Sequence, residues 1–185
     1  MSQDNDQTKY LDLFPAWLRV LREDASELVE LVPVASISNE ARECIAGGVN
    51  YLFKSLDLIP DGIDDIGYLD DAFVLRVAAE LASDADISGV PAERMRSLGR
   101  LANDCDIIRE FLGKDYDRLK AYVKGLRKGA ARGRSVQDIL EDDSTQQSFV
   151  DDVRNFVRGF EAPTFSREEK NLVKLKAFFD AKLPR

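Results

Sequence analysis

The chain has 185 residues, of which 44% are hydrophobic and 32% are charged, and it carries a net charge of −8. This composition fits a folded domain, excludes a disordered chain and disfavours non-specific binding to nucleic acid or anionic lipid. The chain contains no histidine, which excludes Ser–His and Cys–His nucleophile pairs and imidazole metal ligands.

The chain begins with a polar, acidic stretch, residues 1–8, which we expect to be a disordered tail. This stretch lacks the basic start and apolar run of a secretory signal peptide. Apolar residues then recur at helical spacing up to Pro33, and a second helix begins at Ser38, a residue type that caps helix N-termini. Gly47 and Gly48 lie inside that second helix, where we expect them to permit close helix packing.

Helical spacing continues beyond the turn at Pro60. A third helix begins near Gly67, a fourth at Pro91 and a fifth after Gly113. Residues 128–134 contain only Gly, Ala, Lys and Arg, without an apolar period. This composition predicts a flexible, basic linker.

Residues 135–185 are predicted to form a helical annex that follows the helical core of residues 9–127. Capping-box patterns precede two elements of the annex: Ser135 with Asp138, and Ser166 with Glu169. Whether the annex docks on the core is not decided by these patterns. The fold class that they predict is all-α, a helical bundle of about six to eight helices with a central Asp-rich helical hairpin.

Two cysteines, Cys44 and Cys105, are too few for a disulfide framework or a zinc site. A single bridge between them is one alternative, and two buried, reduced thiols of a cytoplasmic protein are the interpretation we favour. No stretch approaches about 18 uninterrupted apolar residues, so the sequence predicts no membrane span.

The most informative segment is rich in aspartate. Six aspartates fall within residues 57–71, and no basic residue lies among them. They are Asp57, Asp61, Asp64, Asp65, Asp70 and Asp71. Their mutual repulsion must be offset by solvent, helix N-termini, a cation or a basic partner.

Helix capping is the interpretation we favour for these aspartates. Asp70 and Asp71 fall in the first turn of the third helix, where the helix dipole favours negative charge. Asp57 and Asp61 flank the proline turn at Pro60 and are expected to accept hydrogen bonds from backbone N–H groups there. The aspartates would thereby close two packed helices into a hairpin without catalysis.

A divalent cation held by the same six carboxylates is an alternative, since clustered carboxylates suit Mg²⁺, Ca²⁺ or Mn²⁺. The protein would then be a cation-binding module or a carboxylate–metal hydrolase, and no other cofactor is expected. The spacing does not match an EF-hand, because a loop that starts at Asp57 places Ile59 and Tyr68 where oxygen ligands are required. Docking of a basic partner on the acidic cluster is a further alternative.

The stretch from Tyr51 to Leu75 resembles the core motif of the YkvA-like family, a bacterial domain of unknown function (domain of unknown function 1232). The shared pattern is an aromatic-led helix, then Asp57-Leu-Ile-Pro60-Asp61, then Gly67-Tyr-Leu-Asp70-Asp71 at the start of the next helix. The resemblance covers about Ala41–Ala82. It implies a helical hairpin and no established activity or catalytic residues.

This chain departs from the family pattern in two places. Leu56 stands where members commonly carry a proline, and Gly62 and Asp64 stand where they often carry bulky apolar residues and a second proline. The resemblance also implies peripheral membrane association, because some members are membrane-associated through an apolar leading helix. The helix that precedes Asp57 is too rich in charged residues and glycine to favour this here.

A basic segment, residues 113–135, has a net charge of +6 and leaves −14 for the rest of the chain. Its candidate phosphate-binding residues are Lys120, Lys124, Arg127, Lys128, Arg132 and Arg134. The interpretation we favour is a solvated helix face and linker that neutralise acidic residues within the fold or across a dimer.

The sequence therefore predicts a non-enzymatic interaction or scaffold protein with a protein partner of unknown identity. A homo-oligomer is an alternative arrangement. A phosphate-binding adaptor for nucleic acid or a membrane surface is not favoured, and the carboxylate–metal alternative leaves catalysis open.

Overall fold

The computed structural model describes the backbone of residues 2–185 and the side chains of residues 7–185. Within these residues the chain forms nine α-helices and one two-stranded antiparallel hairpin. The helices are α1 (Ser2–Arg19), α2 (Leu21–Val29), α3 (Asn39–Asn50), α4 (Leu69–Ser83), α5 (Ala92–Leu112), α6 (Asp115–Gly125), α7 (Val136–Glu141), α8 (Asp143–Gly159) and α9 (Glu169–Lys182). The strands are β1 (Ala130–Ala131) and β2 (Arg134–Ser135), and 3-10 turns follow α3 at Tyr51–Phe53 and α6 at Leu126–Lys128.

The predicted all-α helical bundle is confirmed, with more helices than expected. The first predicted helix is divided at Val20 into α1 and α2, and the short element after Ser135 is a helix, α7. Helix α1 begins at Ser2, so residues 2–8 are helical where we predicted a disordered tail. Met1 lies outside the described residues.

Two helices begin at the predicted caps and a third does not. The Ser38 hydroxyl accepts the hydrogen bond of a first-turn N–H at 3.3 Å, and Ser135 and Asp138 form the reciprocal capping box at the start of α7. Helix α9 begins at Glu169 without a side-chain cap. The capping box predicted at Ser166 is wrong, because the hydroxyl and the N–H of Ser166 both donate to the hairpin loop instead.

A tight β-hairpin replaces the flexible linker predicted at residues 128–134. Strands β1 and β2 pair through Ala130 with Ser135 and Ala131 with Arg134. Arg132 and Gly133 take positive φ angles of 50° and 74°, as two-residue hairpin turns require. Arg134 is almost fully buried and pairs with Asp152 of α8 at 2.8 Å, so this segment is anchored to the annex.

Helix α4 is the central helix of the bundle. Every residue from Leu69 to Ala79 is buried, and α3 and α5 both pack along it. A Cβ added at Gly48 of α3 would lie 2.4 Å from the Cβ of Ala78, closer than any side chain tolerates. The predicted role of this glycine in close helix packing is confirmed.

The annex docks on the core, which answers the question that the sequence left open. The ring of Phe179 in α9 stacks on Phe73 of α4, with centroids 5.2 Å apart and an interplanar angle of 11°. Phe149 of α8 is fully buried, and α8 packs against α2. The annex therefore shares one hydrophobic core with the hairpin.

Candidate functional site

The loop between the 3-10 turn and α4 carries four of the six aspartates, and successive backbone hydrogen bonds close it into tight turns. The Ile63 N–H donates to the Pro60 carbonyl at 3.0 Å, and the Gly67 N–H donates to the Ile63 carbonyl at 2.9 Å. A Cβ added at Gly67 would lie 2.3 Å from the Asp61 carbonyl oxygen. Glycine is therefore required at this position of the motif, since any side chain would push the turn open.

Asp70 closes the hairpin. Its Oδ2 accepts a hydrogen bond from the Tyr51 hydroxyl at 2.5 Å and another from the Ile59 N–H at 3.0 Å. The Tyr51 hydroxyl in turn accepts from the Leu58 N–H at 2.7 Å. One carboxylate and one phenol thus connect the end of α3, the loop and the start of α4. Both side chains are buried, so these bonds are shielded from water.

Three carboxylates of this cluster each keep one oxygen without a hydrogen bond among the described residues. Within the described side chains, Oδ1 of Asp57, Oδ1 of Asp70 and Oδ2 of Asp71 are buried and accept no hydrogen bond. Burial, followed by the charge of Asp70, raises the pKa of Asp71 well above its usual range, and burial and Asp70 raise the pKa of Asp57 to about 7. Burial also raises the pKa of Asp70, although the Tyr51 and Ile59 hydrogen bonds oppose the shift. The fold therefore favours protonated carboxyls in this cluster.

The remaining three aspartates have different surroundings. Asp61 is exposed as a residue, and partial desolvation of its carboxyl raises its pKa, although the nearby Tyr68 phenol opposes the shift. Asp64 is exposed. Asp65 accepts from the Ser166 N–H at 2.8 Å and from the Ser166 hydroxyl at 3.0 Å, and the backbone hydrogen bond lowers its pKa. Asp65 therefore attaches the annex to the hairpin loop.

The structure brings four of the six aspartates together and changes the expected role of two. Asp70 and Asp71 lie in the first turn of α4, where we placed them. Asp57 and Asp61 were expected to cap backbone N–H groups around Pro60. Instead, among the described residues, Asp57 Oδ1 accepts no hydrogen bond, and the group that acts on Asp61 is the Tyr68 phenol, not a backbone N–H. The backbone N–H of the loop is taken by Asp70, because the loop folds back over the start of α4.

These carboxylates are the candidate metal ligands predicted from the sequence, since the chain has no histidine. In the part of the chain that the structure describes, no group of three or more acidic or cysteine side chains is placed to hold a metal ion. Cys44 and Cys105 are buried, free thiols, and burial raises their pKa to about 11 and about 12. Neither thiol is activated for chemistry near neutral pH.

The basic segment is largely neutralised inside the fold. Five of its cations have partners within the fold: Arg118, with Asp115 and Asp180; Lys120, with Glu80 and Asp84; Arg127, with Glu40 and Glu43; and Arg132 and Arg134, both with Asp152. Lys124 and Lys128 are exposed. The six candidate phosphate ligands therefore do not converge on one open anion site.

Sequence reasoning missed a buried arginine. Arg76 of α4 is fully buried, with its Nη2 3.3 Å from Asp24 and its Nε 2.9 Å from Asp104. Its guanidinium carbon lies 4.1 Å from the ring centroid of Trp17, and Arg100 also pairs with Asp24 at 2.6 Å. The signal in the sequence was an arginine alone within the apolar run of residues 72–79.

An all-α bundle whose helical hairpin is closed by buried carboxylates is the class that the fold and site define. Residues 41–76 match the model of a family described as "Protein of unknown function (DUF1232)". This short segment of the chain covers α3, the aspartate loop and the first half of α4, which agrees with the resemblance drawn from the motif, although the match does not carry the YkvA-like name.

No curated protein and no solved structure matches the chain. Within the described residues, no helix combines the length and the apolar character needed to cross a membrane.

Proposed function

We propose that this protein is a non-enzymatic interaction or scaffold protein in which the aspartate hairpin is structural and exposed charges select a protein partner. The observation that carries the proposal is the position of Asp70. Its side chain is 0% exposed, and its Oδ2 holds the Tyr51 hydroxyl and the Ile59 N–H. A carboxylate that is shielded from solvent and already bonded to the chain is suited to hold the fold together, not to contact a substrate.

The distribution of basic side chains supports the same proposal. Arg127 joins α3 to the turn after α6, since it pairs with Glu43 at 2.8 Å. Arg134 joins the β-hairpin to α8 through Asp152. Cations that form ion pairs with acidic residues of the same chain contribute little to phosphate binding, because phosphate binding needs several unpaired cations on one surface.

A cation-binding module is the second candidate function, and one observation favours it. Three buried carboxylate oxygens, on Asp57, Asp70 and Asp71, accept no hydrogen bond among the described side chains. The three groups are not placed to share one ion in this structure, so a cation would have to draw them together. Calorimetric titration of the full chain with Mg²⁺, Mn²⁺ and Ca²⁺ separates the two candidates. Binding heat together with a raised melting temperature would favour the module; the leading proposal expects neither.

Affinity purification followed by reconstitution tests the leading proposal directly. The full chain is used to capture proteins from its native host, and each candidate is then mixed with the chain as purified protein. We expect a stoichiometric complex that forms without added metal or nucleotide. The proposal is abandoned if no captured protein binds in purified form, or if the purified chain shows metal-dependent hydrolysis.

A further inference from the structure

A shallow groove lies where the start of α4 meets the end of α8. Its volume is about 410 Å³, and it is lined by Tyr68, Asn155, Phe156, Gly159, Phe160 and Glu161. Three of these six residues are aromatic, and none is basic. The groove is separate from the buried carboxylates, although Tyr68 lies between the two.

The aromatic rings form a connected group. Tyr68 and Phe160 contact edge to face, with centroids 5.1 Å apart at 82°, and Phe156 lies 5.1 Å from Phe160 at 31°. Tyr68 and Phe156 are only partly buried and both line the groove, whereas Phe160 is almost fully buried behind them. Ring faces carry negative electrostatic potential and attract ammonium and guanidinium groups.

Carboxylates lie close to the same rings. Glu161 lines the groove and is exposed. Asp61, Asp57 and Asp71 act electrostatically on Tyr68 from outside the groove. Burial and these carboxylates raise the pKa of Tyr68, so the phenol stays neutral. Arg158 is exposed on the same helix but does not line the groove.

The backbone at Tyr68 is unusual for a bulky residue. Its φ is +67°, in the left-handed region, which costs of order 1–3 kcal/mol for a residue other than glycine. A glycine would avoid this cost, so the tyrosine side chain must contribute compensating contacts. The contact that the structure shows is with the ring of Phe160, which lines the groove.

We infer that this groove binds a lysine or arginine side chain from a basic segment of a protein partner. The inference rests on the proposed function, since it names the chemistry of the partner. The aromatic faces accept the cation, and Glu161 provides opposite charge at the edge. A second copy of this chain is the other occupant that the test distinguishes.

The test places a positive charge in the groove without disturbing the fold. A Cβ added at Gly159, in the last turn of α8, meets no atom within 4 Å, so Gly159→Arg introduces no clash. Gly99 of α5 is equally open, and Gly99→Arg gives the same net charge at a distant surface. Circular dichroism and melting temperature confirm that both variants fold.

Binding is measured by fluorescence anisotropy with a labelled nona-arginine peptide at low salt. We expect Gly159→Arg to weaken binding about tenfold or more, because like charges are brought together, and Gly99→Arg to change it less than about twofold. Phe156→Leu, which keeps an apolar side chain and removes the ring face, is expected to weaken binding about two- to fivefold.

Equal losses in the two arginine variants would overturn the inference, because only net charge would then matter; so would unchanged binding in Gly159→Arg. If the wild-type chain dimerises in sedimentation and Gly159→Arg abolishes the dimer, the occupant is a second copy and the inference is wrong. If the peptide binds specifically but no protein partner can be reconstituted, the proposed function is wrong and the inference about the groove stands. If a reconstituted partner binds Gly159→Arg as well as it binds the wild type, the inference about the groove is wrong and the proposed function stands.

Discussion

Helix α4 carries two clusters of buried charge about a turn and a half apart, and the fold stabilises them differently. Around Arg76, two buried or partly buried carboxylates, Asp24 and Asp104, surround one guanidinium. At Asp70 and Asp71 two buried carboxylates lie side by side, and no ion pair to either is present among the described residues. The first cluster is stabilised by opposite charge. The second is stabilised by the Tyr51 hydroxyl, the Ile59 N–H and protonation of its carboxyls.

The difference shows what each cluster tolerates. Removing one member of a buried ion pair leaves the other charge unpaired in a medium of low dielectric constant. Removing a carboxylate from the acidic cluster relieves repulsion while it deprives the Tyr51 hydroxyl and the Ile59 N–H of their acceptor. The first cluster should therefore respond to the loss of charge, and the second to the loss of an acceptor.

Arg76→Leu should have the largest effect on stability. It removes the fully buried partner of Asp24, which then keeps only Arg100, whose side chain is 44% exposed, and we expect the free energy of unfolding to fall by about 3–5 kcal/mol. Urea unfolding measures the loss. Arg109→Leu is the control, because the pairs of Arg109 are on the surface and are worth less than about 1 kcal/mol. Equal losses in the two variants would show that burial of the pair is irrelevant.

Asp70→Ala should rank second and should separate charge from hydrogen bonding. It leaves a buried hydroxyl and a buried N–H without an acceptor, which costs about 2–4 kcal/mol. Asp70→Asn keeps an acceptor oxygen and removes the charge, so we expect it to retain most of the stability. Chemical unfolding of both variants at neutral pH is the measurement. If Asp70→Asn loses as much as Asp70→Ala, charge is the stabilising feature and our account of the acidic cluster fails.

Gly67→Ala tests the turn that positions the acidic cluster. Its added methyl group would meet the Asp61 carbonyl oxygen at 2.3 Å, and such overpacking costs about 1–3 kcal/mol. Gly62 lies in the same loop, and an added Cβ there meets nothing within 4 Å. Gly62→Ala should therefore leave the melting temperature nearly unchanged. A comparable drop of the melting temperature in both variants would mean that the conformational entropy of the loop, and not the contact with Asp61, causes the loss.

Asp57→Asn should produce the smallest effect, visible as a change of pH dependence. The folded state raises the pKa of Asp57 from near 3.8 to about 7, so it binds the proton more tightly than the unfolded chain. This contribution is fully present below pH 3.8 and is lost as the pH rises through 7. We therefore expect the melting temperature to fall less steeply between pH 4 and pH 8 for the variant than for the wild type. If the melting temperatures of the two proteins change in parallel with pH, the pKa of Asp57 is not raised in the folded state.

Local pattern predicted much of this fold. The helical stripes, the cap at Ser38 and the capping box at Ser135 all depend on residues near one another in sequence, and each is confirmed. The close packing at Gly48 is also confirmed, although its partner, Ala78, lies on another helix. The capping box at Ser166 failed for the opposite reason. Its hydroxyl is taken by Asp65, which lies a hundred residues away in the chain, and no local pattern reports such a competitor.

The sequence predicted which residues form the candidate site better than it predicted the contacts among them. The motif identified Asp57, Asp61, Asp70 and Asp71 as a group, and their mutual electrostatic effects show that they are neighbours. The role of Tyr51 as the second half of the closure was missed, since an aromatic residue in a helical stripe is more often core.

By itself the sequence determined the helices, their order and the presence of an acidic hairpin, because helical periodicity and capping operate over a few residues. Only the tertiary structure decided which charge meets which: Arg127 with Glu43, Arg76 with Asp24, and Asp65 with Ser166. Electrostatic energy depends on distance in space and on burial, and both are fixed by how the helices pack together.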